Sequence, residues 1–213
     1  QTPLCVASKE NHSDVVELLL ADSADVNEID NEGATPLWWA SWNGNSVIAQ
    51  LLLANNADVN KANKYNQTPL YIAIQQEHSD VAQLLLANNA DVNQGRIQQK
   101  DKTPLWLACE MGYSKGAEIL LANNADVNKA NNQGETPLKV AIKKQNSEIV
   151  QILLANNADV NKTDNYGQTP LYIATRKSES HSKIIQLLLA NNANVNQADN
   201  DENEDLGEKH EIH

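Results

Sequence analysis

The chain has 213 residues, of which 41% are hydrophobic and 4% aromatic, and it carries a formal net charge of −12. This negative charge argues against a nucleic-acid partner, because binding to phosphates requires a basic face. No segment approaches the apolar length needed to cross a bilayer, and residues 1–20 lack a signal-peptide pattern, so we expect an intracellular, cytoplasmic protein with no membrane contact.

A short sequence unit recurs along most of the chain. Thr-Pro-Leu returns at intervals of 33 residues, with one interval of 35, at 2–4, 35–37, 68–70, 103–105, 136–138 and 169–171. Ala-Asp-Val-Asn follows at 24–27, 57–60, 90–93, 125–128 and 158–161, and Ala-Asn-Val-Asn at 193–196. A fixed period of this length indicates one supersecondary unit repeated in tandem.

Each unit predicts two short helices and a polar connection. Thr followed by Pro is a helix N-cap with Pro at the first helical position, where its missing N–H costs nothing. About ten residues later a second apolar run begins, such as the one from Ile48 to Leu53. The residue that ends this second helix must tolerate left-handed backbone, and Asn does so. We expect this conformation at Asn56, Asn89, Asn124, Asn157 and Asn192.

These residues resemble the ankyrin repeat, whose pattern joins a Thr-Pro-Leu-His-x-Ala helix start, a Val-Val-x-Leu-Leu-Leu second helix and a Gly-Ala-Asp-Val-Asn hairpin. The resemblance covers residues 1–198 in six copies, the first truncated at its N-terminus. It implies an all-α ankyrin-repeat solenoid of stacked helix-turn-helix units with projecting β-hairpin loops. The family's hairpin Gly is replaced here by Ser23 or by Asn. Its His is replaced by Cys5, Trp38, Tyr71, Trp106, Lys139 and Tyr172.

The second repeat carries three tryptophans within five residues. Trp39 stands at the family's buried apolar position, so we expect it in the core. Trp42 stands at a position that points into the family's concave groove, where an exposed apolar side chain is typical of an interface anchor. The alternative is that Trp42 only stacks on Trp38, four residues away on the same helical face.

Three later features depart from the regular unit. The longer connection from Gln94 to Lys102 predicts a projecting finger, or tolerated drift in loop length. Gly116 replaces a branched side chain, so we expect its layer to lose packing and to open first. Two extra residues near 178–180 fall in another loop.

Residues 199–213 form an acidic segment with seven acidic side chains and one Lys. They predict either a degenerate seventh unit that caps the array or a tail that is disordered from Asp199 onward. A tail of this charge is expected to lie near the basic end of the groove and to compete with acidic partners.

No phosphate-binding loop, metal-ligand spacing or nucleophile motif is found, so we expect no catalytic residues, no metal and no cofactor. His12, His78 and His181 stand between the two helices of their repeats, where hydrogen bonding to neighbouring backbone is expected. Cys5 and Cys109 lie three repeats apart, too far for a disulfide, which favours a reducing compartment.

The resemblance implies a non-enzymatic scaffold that binds a protein or peptide in the concave groove formed by hairpins and first helices. Transferred from the family, the groove positions lie just before each Thr-Pro-Leu and seven and eight residues after each Thr. They are Glu32, Trp42, Asn43, Tyr65, Gln75, Gln76, Lys100, Glu110, Met111, Gln133, Lys143, Lys144, Tyr166, Arg176 and Lys177. Aromatic character at one end and positive charge at the other predict a partner with an apolar anchor and an acidic stretch, bound by a monomer.

Two alternatives remain open from the sequence. The first is a regulatory ligand-sensing ankyrin domain that controls an attached enzyme domain, in which Trp42 and Tyr65 stack a planar ligand and a nearby Lys pairs with the ligand's phosphate. The second is a purely structural spacer.

Overall fold

The computed structural model describes residues 2–95, 101–176 and 182–196. These residues form twelve α-helices, arranged in six pairs and joined by loops. We number the helices in chain order, so that odd numbers are first helices and even numbers second helices. They are α1 (Pro3–Lys9), α2 (Ser13–Ala21), α3 (Pro36–Asn43), α4 (Ser46–Ala54), α5 (Pro69–Gln75), α6 (Ser79–Ala87), α7 (Pro104–Met111), α8 (Ser114–Ala122), α9 (Pro137–Lys143), α10 (Ser147–Ala155), α11 (Pro170–Thr175) and α12 (Ser182–Ala190).

The predicted helix starts are confirmed in every repeat. The hydroxyl of each capping Thr accepts a hydrogen bond from the backbone N–H three residues on, as Thr35 does from Trp38 at 3.1 Å. The other caps are Thr2, Thr68, Thr103, Thr136 and Thr169. This bond satisfies an N–H group that has no partner within the helix, and Pro at the next position fixes a helical φ.

The predicted ends of the second helices are confirmed as well. Asn56, Asn89, Asn124, Asn157 and Asn192 all have φ of 63° or 64°, in the left-handed region. The chain turns back there, so that the N–H of Ala57 bonds the carbonyl of Leu52 at 3.0 Å. A left-handed residue placed after the last turn satisfies the carbonyls that the helix itself leaves unpaired.

Helices of neighbouring repeats stack in two layers. Each first helix contacts the first helix of the next repeat, each second helix contacts the next second helix, and the two helices of a repeat contact one another. The first repeat shows what this stacking buries. Val15 is 39% exposed, whereas Ile48, at the same position one repeat later, is 0% exposed because the first repeat covers it.

The loops between repeats are built from turns, and the described residues form no β-strand. In four loops one buried Asp or Asn accepts backbone N–H bonds from residues two and four positions on. Asp30 does so from Glu32 and Ala34, each at 2.9 Å. The equivalents are Asn63, Asn131 and Asp164. Adjacent loops also touch, since the N–H of Lys64 bonds the carbonyl of Glu32 at 3.0 Å.

A ladder of asparagines joins consecutive repeats a few residues after the C-terminal end of each of the first five second helices. The side-chain oxygen of Asn60 accepts a bond from the N–H of Asp91 in the next repeat, at 2.8 Å. Asn27, Asn93, Asn128 and Asn161 make the same bond at 2.7 to 2.9 Å. Each such bond fixes the spacing between two consecutive repeats.

The assignment of Trp39 to the core is only partly correct, because Trp38 is the buried ring and Trp39 is half-buried. Trp38 is 5% exposed and packs on Ile72, the residue of the next repeat that corresponds to Trp39. Trp39 packs against the cluster of Ala34, Trp38 and Ile72 without being enclosed by it. Its indole N–H donates to Asp30 at 2.9 Å, and Lys9 lies 4.7 Å from its ring centre.

The packing argument about Gly116 is also wrong. The ring of Tyr113 occupies the space beside it, and a Cβ at Gly116 would lie 2.2 Å from Cδ1 of Tyr113. Tyr113 takes the place that His78 has in the third repeat, and its hydroxyl donates to the carbonyl of Glu77 at 3.1 Å. The missing side chain is therefore replaced by an aromatic ring from the same repeat.

Several predicted features lie outside the described residues. They are the extended loop around 96–100, the extra residues near 178–180 together with His181, and the acidic segment 199–213. His78 is described, and its ring nitrogen Nε2 lies 3.0 Å from the carbonyl of Trp42, as expected for a histidine at that position.

Candidate binding surface

Thirteen of the fifteen predicted groove residues are described, and they differ in exposure. Exposed are Glu32, Trp42, Tyr65, Met111, Lys144, Tyr166 and Arg176, and half-buried are Asn43, Gln75, Gln76, Glu110, Gln133 and Lys143. Lys100 and Lys177 lie outside the described residues. Of the three exposed aromatic side chains in this set, Trp42 and Tyr65 belong to the second and third repeats and Tyr166 to the sixth. The two exposed cations, Lys144 and Arg176, belong to the fifth and sixth repeats.

Trp42 combines exposure with a fixed orientation. It is 40% exposed, and its ring stacks on buried Trp38 with centres 5.4 Å apart and an interplanar angle of 23°. Trp38 is held in turn by an edge-to-face contact with Trp39 at 4.9 Å. Trp42 therefore stacks on its neighbour and still presents surface to solvent, and its role as an interface anchor stays a prediction.

Tyr65 links the loops of two adjacent repeats. Its hydroxyl donates to the Glu32 carboxylate at 3.0 Å, although its ring is 46% exposed. A carboxylate therefore lies beside the aromatic end of the surface. The ligand-sensing alternative needs a phosphate there, and the negative charge of Glu32 disfavours one.

Asn43 has a structural contact that the sequence pattern did not reveal. Its side-chain amide donates to the backbone carbonyls of Lys9 at 2.7 Å and Ser8 at 3.3 Å. These bonds join the end of α3 to the end of α1. Asn43 is therefore half-buried between repeats.

Sequence reasoning missed a set of internal partners for the groove side chains. In three repeats the residue just before the capping Thr contacts the residue seven positions after that Thr. Lys102 pairs with Glu110 at 2.7 Å, and Glu135 pairs with Lys143 with the signs reversed. Gln67 and Gln75 form the neutral version, a hydrogen bond of 3.2 Å. The sequence contained a signal for these contacts, since the paired side chains are complementary and stand eight residues apart.

A buried ion pair supports the loop at the basic end. Nζ of Lys139 lies 3.5 Å from Oδ2 of Asp164, and the two side chains are 0% and 2% exposed. Oδ1 of the same carboxylate accepts the N–H groups of Tyr166 and Gln168, each at 3.0 Å. Burial lowers the pKa of Lys139 to about 8, and Asp164 only partly opposes that shift.

Three features of the described residues concern metal binding, membrane crossing and the cysteines. No group of three or more His, Cys, Asp or Glu side chains there is placed to hold a metal ion. In the same residues no helix is long and apolar enough to cross a membrane. Cys5 and Cys109 are both buried, free thiols, and burial raises the pKa of each.

Comparison with known proteins gives a consistent result. A family model described as ankyrin repeats matches three times, over residues 1–63, 48–131 and 123–199. The crystal structure of the human ASB11 ankyrin repeat domain is similar, with a TM-score of 0.79 and 28% sequence identity over 94% of this chain and 88% of that one. No curated protein sequence matches significantly. Because 573 solved chains match, the fold by itself points to no particular partner.

Proposed function

This chain belongs to the ankyrin repeat family, and from that premise we propose that it is a non-enzymatic scaffold that binds a protein or peptide in the groove formed by its loops and first helices. Ankyrin repeat domains are generally protein–protein interaction modules. The proposed surface comprises the exposed members of the predicted groove set. We propose that the chain binds its partner as a monomer.

One observation carries the proposal, the exposed ring of Trp42 on a buried aromatic support. Large aromatic side chains are enriched among the residues that dominate binding energy. The stack on Trp38 restricts the Trp42 ring before any partner arrives, so little rotamer entropy is lost on binding. An apolar side chain of the partner is the group that this ring would bury.

The end of the surface formed by the fifth and sixth repeats supports a partner that also carries an acidic stretch. Lys144 and Arg176 are exposed there, and both carry positive charge at neutral pH. A partner segment with an apolar anchor at the second repeat and acidic residues toward the sixth fits both ends. Such complementary charges contribute mainly to orientation and association rate.

We further propose an intracellular, cytoplasmic location, on the evidence of the thiols. Cys5 and Cys109 are unpaired and buried. Unpaired cysteines persist in reducing compartments, whereas secreted proteins generally oxidise theirs.

The experiment is a selection from a displayed library of random peptides, followed by calorimetry on the peptides recovered. We expect the recovered sequences to share an aromatic or aliphatic residue, and their binding to fail with Trp42→Ala. Recovery of peptides that bind Trp42→Ala equally well would contradict the proposal. Thermal stabilisation of the protein by nucleotides, with no peptide bound, would favour the ligand-sensing alternative instead.

A further inference from the structure

A cavity of about 500 Å³ lies between the fifth and sixth repeats, at the basic end of the proposed surface. Lys143, Gln168, Ile173 and Arg176 line it. The first of these ends α9, and Ile173 belongs to α11. The loop that carries Gln168 is fixed by the Asp164 carboxylate, which accepts the Gln168 N–H.

The two cations in this cavity differ in how they are paired. Lys143 forms an ion pair with Glu135, the residue just before the capping Thr of its repeat. At the equivalent position before Thr169 the sixth repeat has Gln168, whose amide is neutral. Among the described residues no carboxylate lies within ion-pair distance of Arg176, whose guanidinium instead lies 5.8 Å from the ring centre of Tyr172.

We propose that this cavity is a carboxylate-binding subsite for the peptide that the groove binds, an inference that rests on the proposed function. The carboxylate comes from an Asp or Glu side chain or from the C-terminus of the partner. Arg176 binds it through the planar fork of its guanidinium, which matches the two oxygens of a carboxylate. The neighbouring Lys143 adds a weaker, largely neutralised attraction.

The charge balance favours a carboxylate over a phosphate group. With Glu135 paired to Lys143, the described side chains that line the cavity, together with Glu135, carry a net formal charge of one positive unit. A carboxylate carries one negative charge, whereas a phosphorylated side chain carries about two and would leave one unmatched. Ile173 is buried at the wall and reduces the water that competes for Arg176.

The test is an NMR titration of the full chain with small probes that need no other part of the groove. N-acetylglutamate methylamide presents a side-chain carboxylate, N-acetylglycine presents a terminal one, and N-acetylglutamine methylamide is the neutral control. We expect saturable shifts of the Arg176 Nε–H and the Ile173 methyl signals with one or both carboxylates. The neutral probe should produce none, and Arg176→Gln should abolish the response.

Lys183→Gln is the matched control, because it removes the same charge from an exposed residue of α12 that neither lines the cavity nor belongs to the proposed surface. It should leave the titration unchanged. An equal loss in Lys183→Gln and Arg176→Gln would show a general charge effect and overturn the subsite, as would absence of shifts or tighter binding of inorganic phosphate.

The peptides from the library selection whose binding depends on Trp42 can test this subsite separately from the proposed function. Replacing their acidic residue by Gln or Asn, or amidating their C-terminus, should weaken binding about tenfold, and Arg176→Gln should add little to that loss. Peptides that depend on Trp42 but bind Arg176→Gln with unchanged affinity would overturn the subsite and leave the proposed function standing.

Discussion

Lys139 and Asp164 form an ion pair inside the protein, with Nζ and Oδ2 3.5 Å apart and both side chains almost fully buried. The pair bridges the fifth and sixth repeats. In the second and fourth repeats the corresponding position is a Trp, and the loop residue opposite is Asn63 or Asn131. The fifth repeat therefore has an ion pair where the second and fourth repeats have an aromatic ring and a neutral amide.

Breaking this pair from one side should be costly. Asp164→Asn leaves the Lys139 charge buried without its counterion, and we expect a loss of about 3 kcal/mol or more in the free energy of unfolding, measured by urea titration at pH 7. The double variant Lys139→Met with Asp164→Asn restores a neutral site and should recover most of the loss. A single variant as stable as the wild type would contradict this account.

The same pair predicts how stability depends on pH. The pKa of Lys139 is lowered to about 8 in the folded protein, against 10.5 for an unperturbed Lys. Between these values the unfolded chain holds a proton that the folded chain has released, so the free energy of unfolding rises with pH. The full gain from this group is at most about 3 kcal/mol and is complete above pH 10.5. Well below pH 8 Lys139 is protonated in both states, so it does not change the free energy of unfolding with pH.

The double variant is the reference for this measurement, because it differs from the wild type only at the buried pair. The difference in unfolding free energy between wild type and double variant should change between pH 7.5 and pH 10, with the wild type gaining. A constant difference across that range would refute the lowered pKa.

Gly116→Ala should destabilise the protein, against the usual gain for Gly to Ala within a helix. The new Cβ would lie 2.2 Å from the Tyr113 ring, and we expect a loss of about 1–3 kcal/mol on thermal or urea unfolding. In a Tyr113→Ala background the same change should instead gain about 1 kcal/mol. A gain in both backgrounds would mean that the ring does not hold this position.

Asn60→Ala should weaken the joint between the second and third repeats. It removes the acceptor of the Asp91 N–H, and we expect a loss of about 1 kcal/mol together with faster amide exchange at Asp91. Asn55→Ala is the control, because the Asn55 side chain bonds only the Leu51 carbonyl of its own helix. Equal effects of the two variants on Asp91 exchange would argue against the ladder.

The parts of this structure that were predictable from sequence are those that depend on local chemistry. Thr35 caps a helix and Asn56 turns left-handed because each acts on backbone within a few residues of itself. Burial of Trp38 instead of Trp39 was not predictable in this way, since it depends on Ile72 of the next repeat.

Contacts across repeats explain the remaining differences. The pairing of Lys143 with Glu135 was visible as opposite charges eight residues apart, yet its geometry depends on the loop folding back over α9. Lys139 and Asp164 are 25 residues apart and meet only when two repeats stack. The positive charge assigned to the groove was therefore overestimated at Lys143, whereas Arg176 keeps its role as an exposed cation.

The affinity and stability of Trp42→Ala, measured together, test the central proposal most directly. Calorimetry with a recovered peptide should show about 30-fold weaker binding, equivalent to about 2 kcal/mol, because the anchor contributes chiefly when a partner covers it. The free energy of unfolding should fall by only about 1 kcal/mol, for the lost stack on Trp38. Leu18→Ala, an exposed change on α2, should alter neither quantity much. A large fall in stability with unchanged peptide affinity would show that Trp42 serves the fold and that the proposed binding surface is wrong.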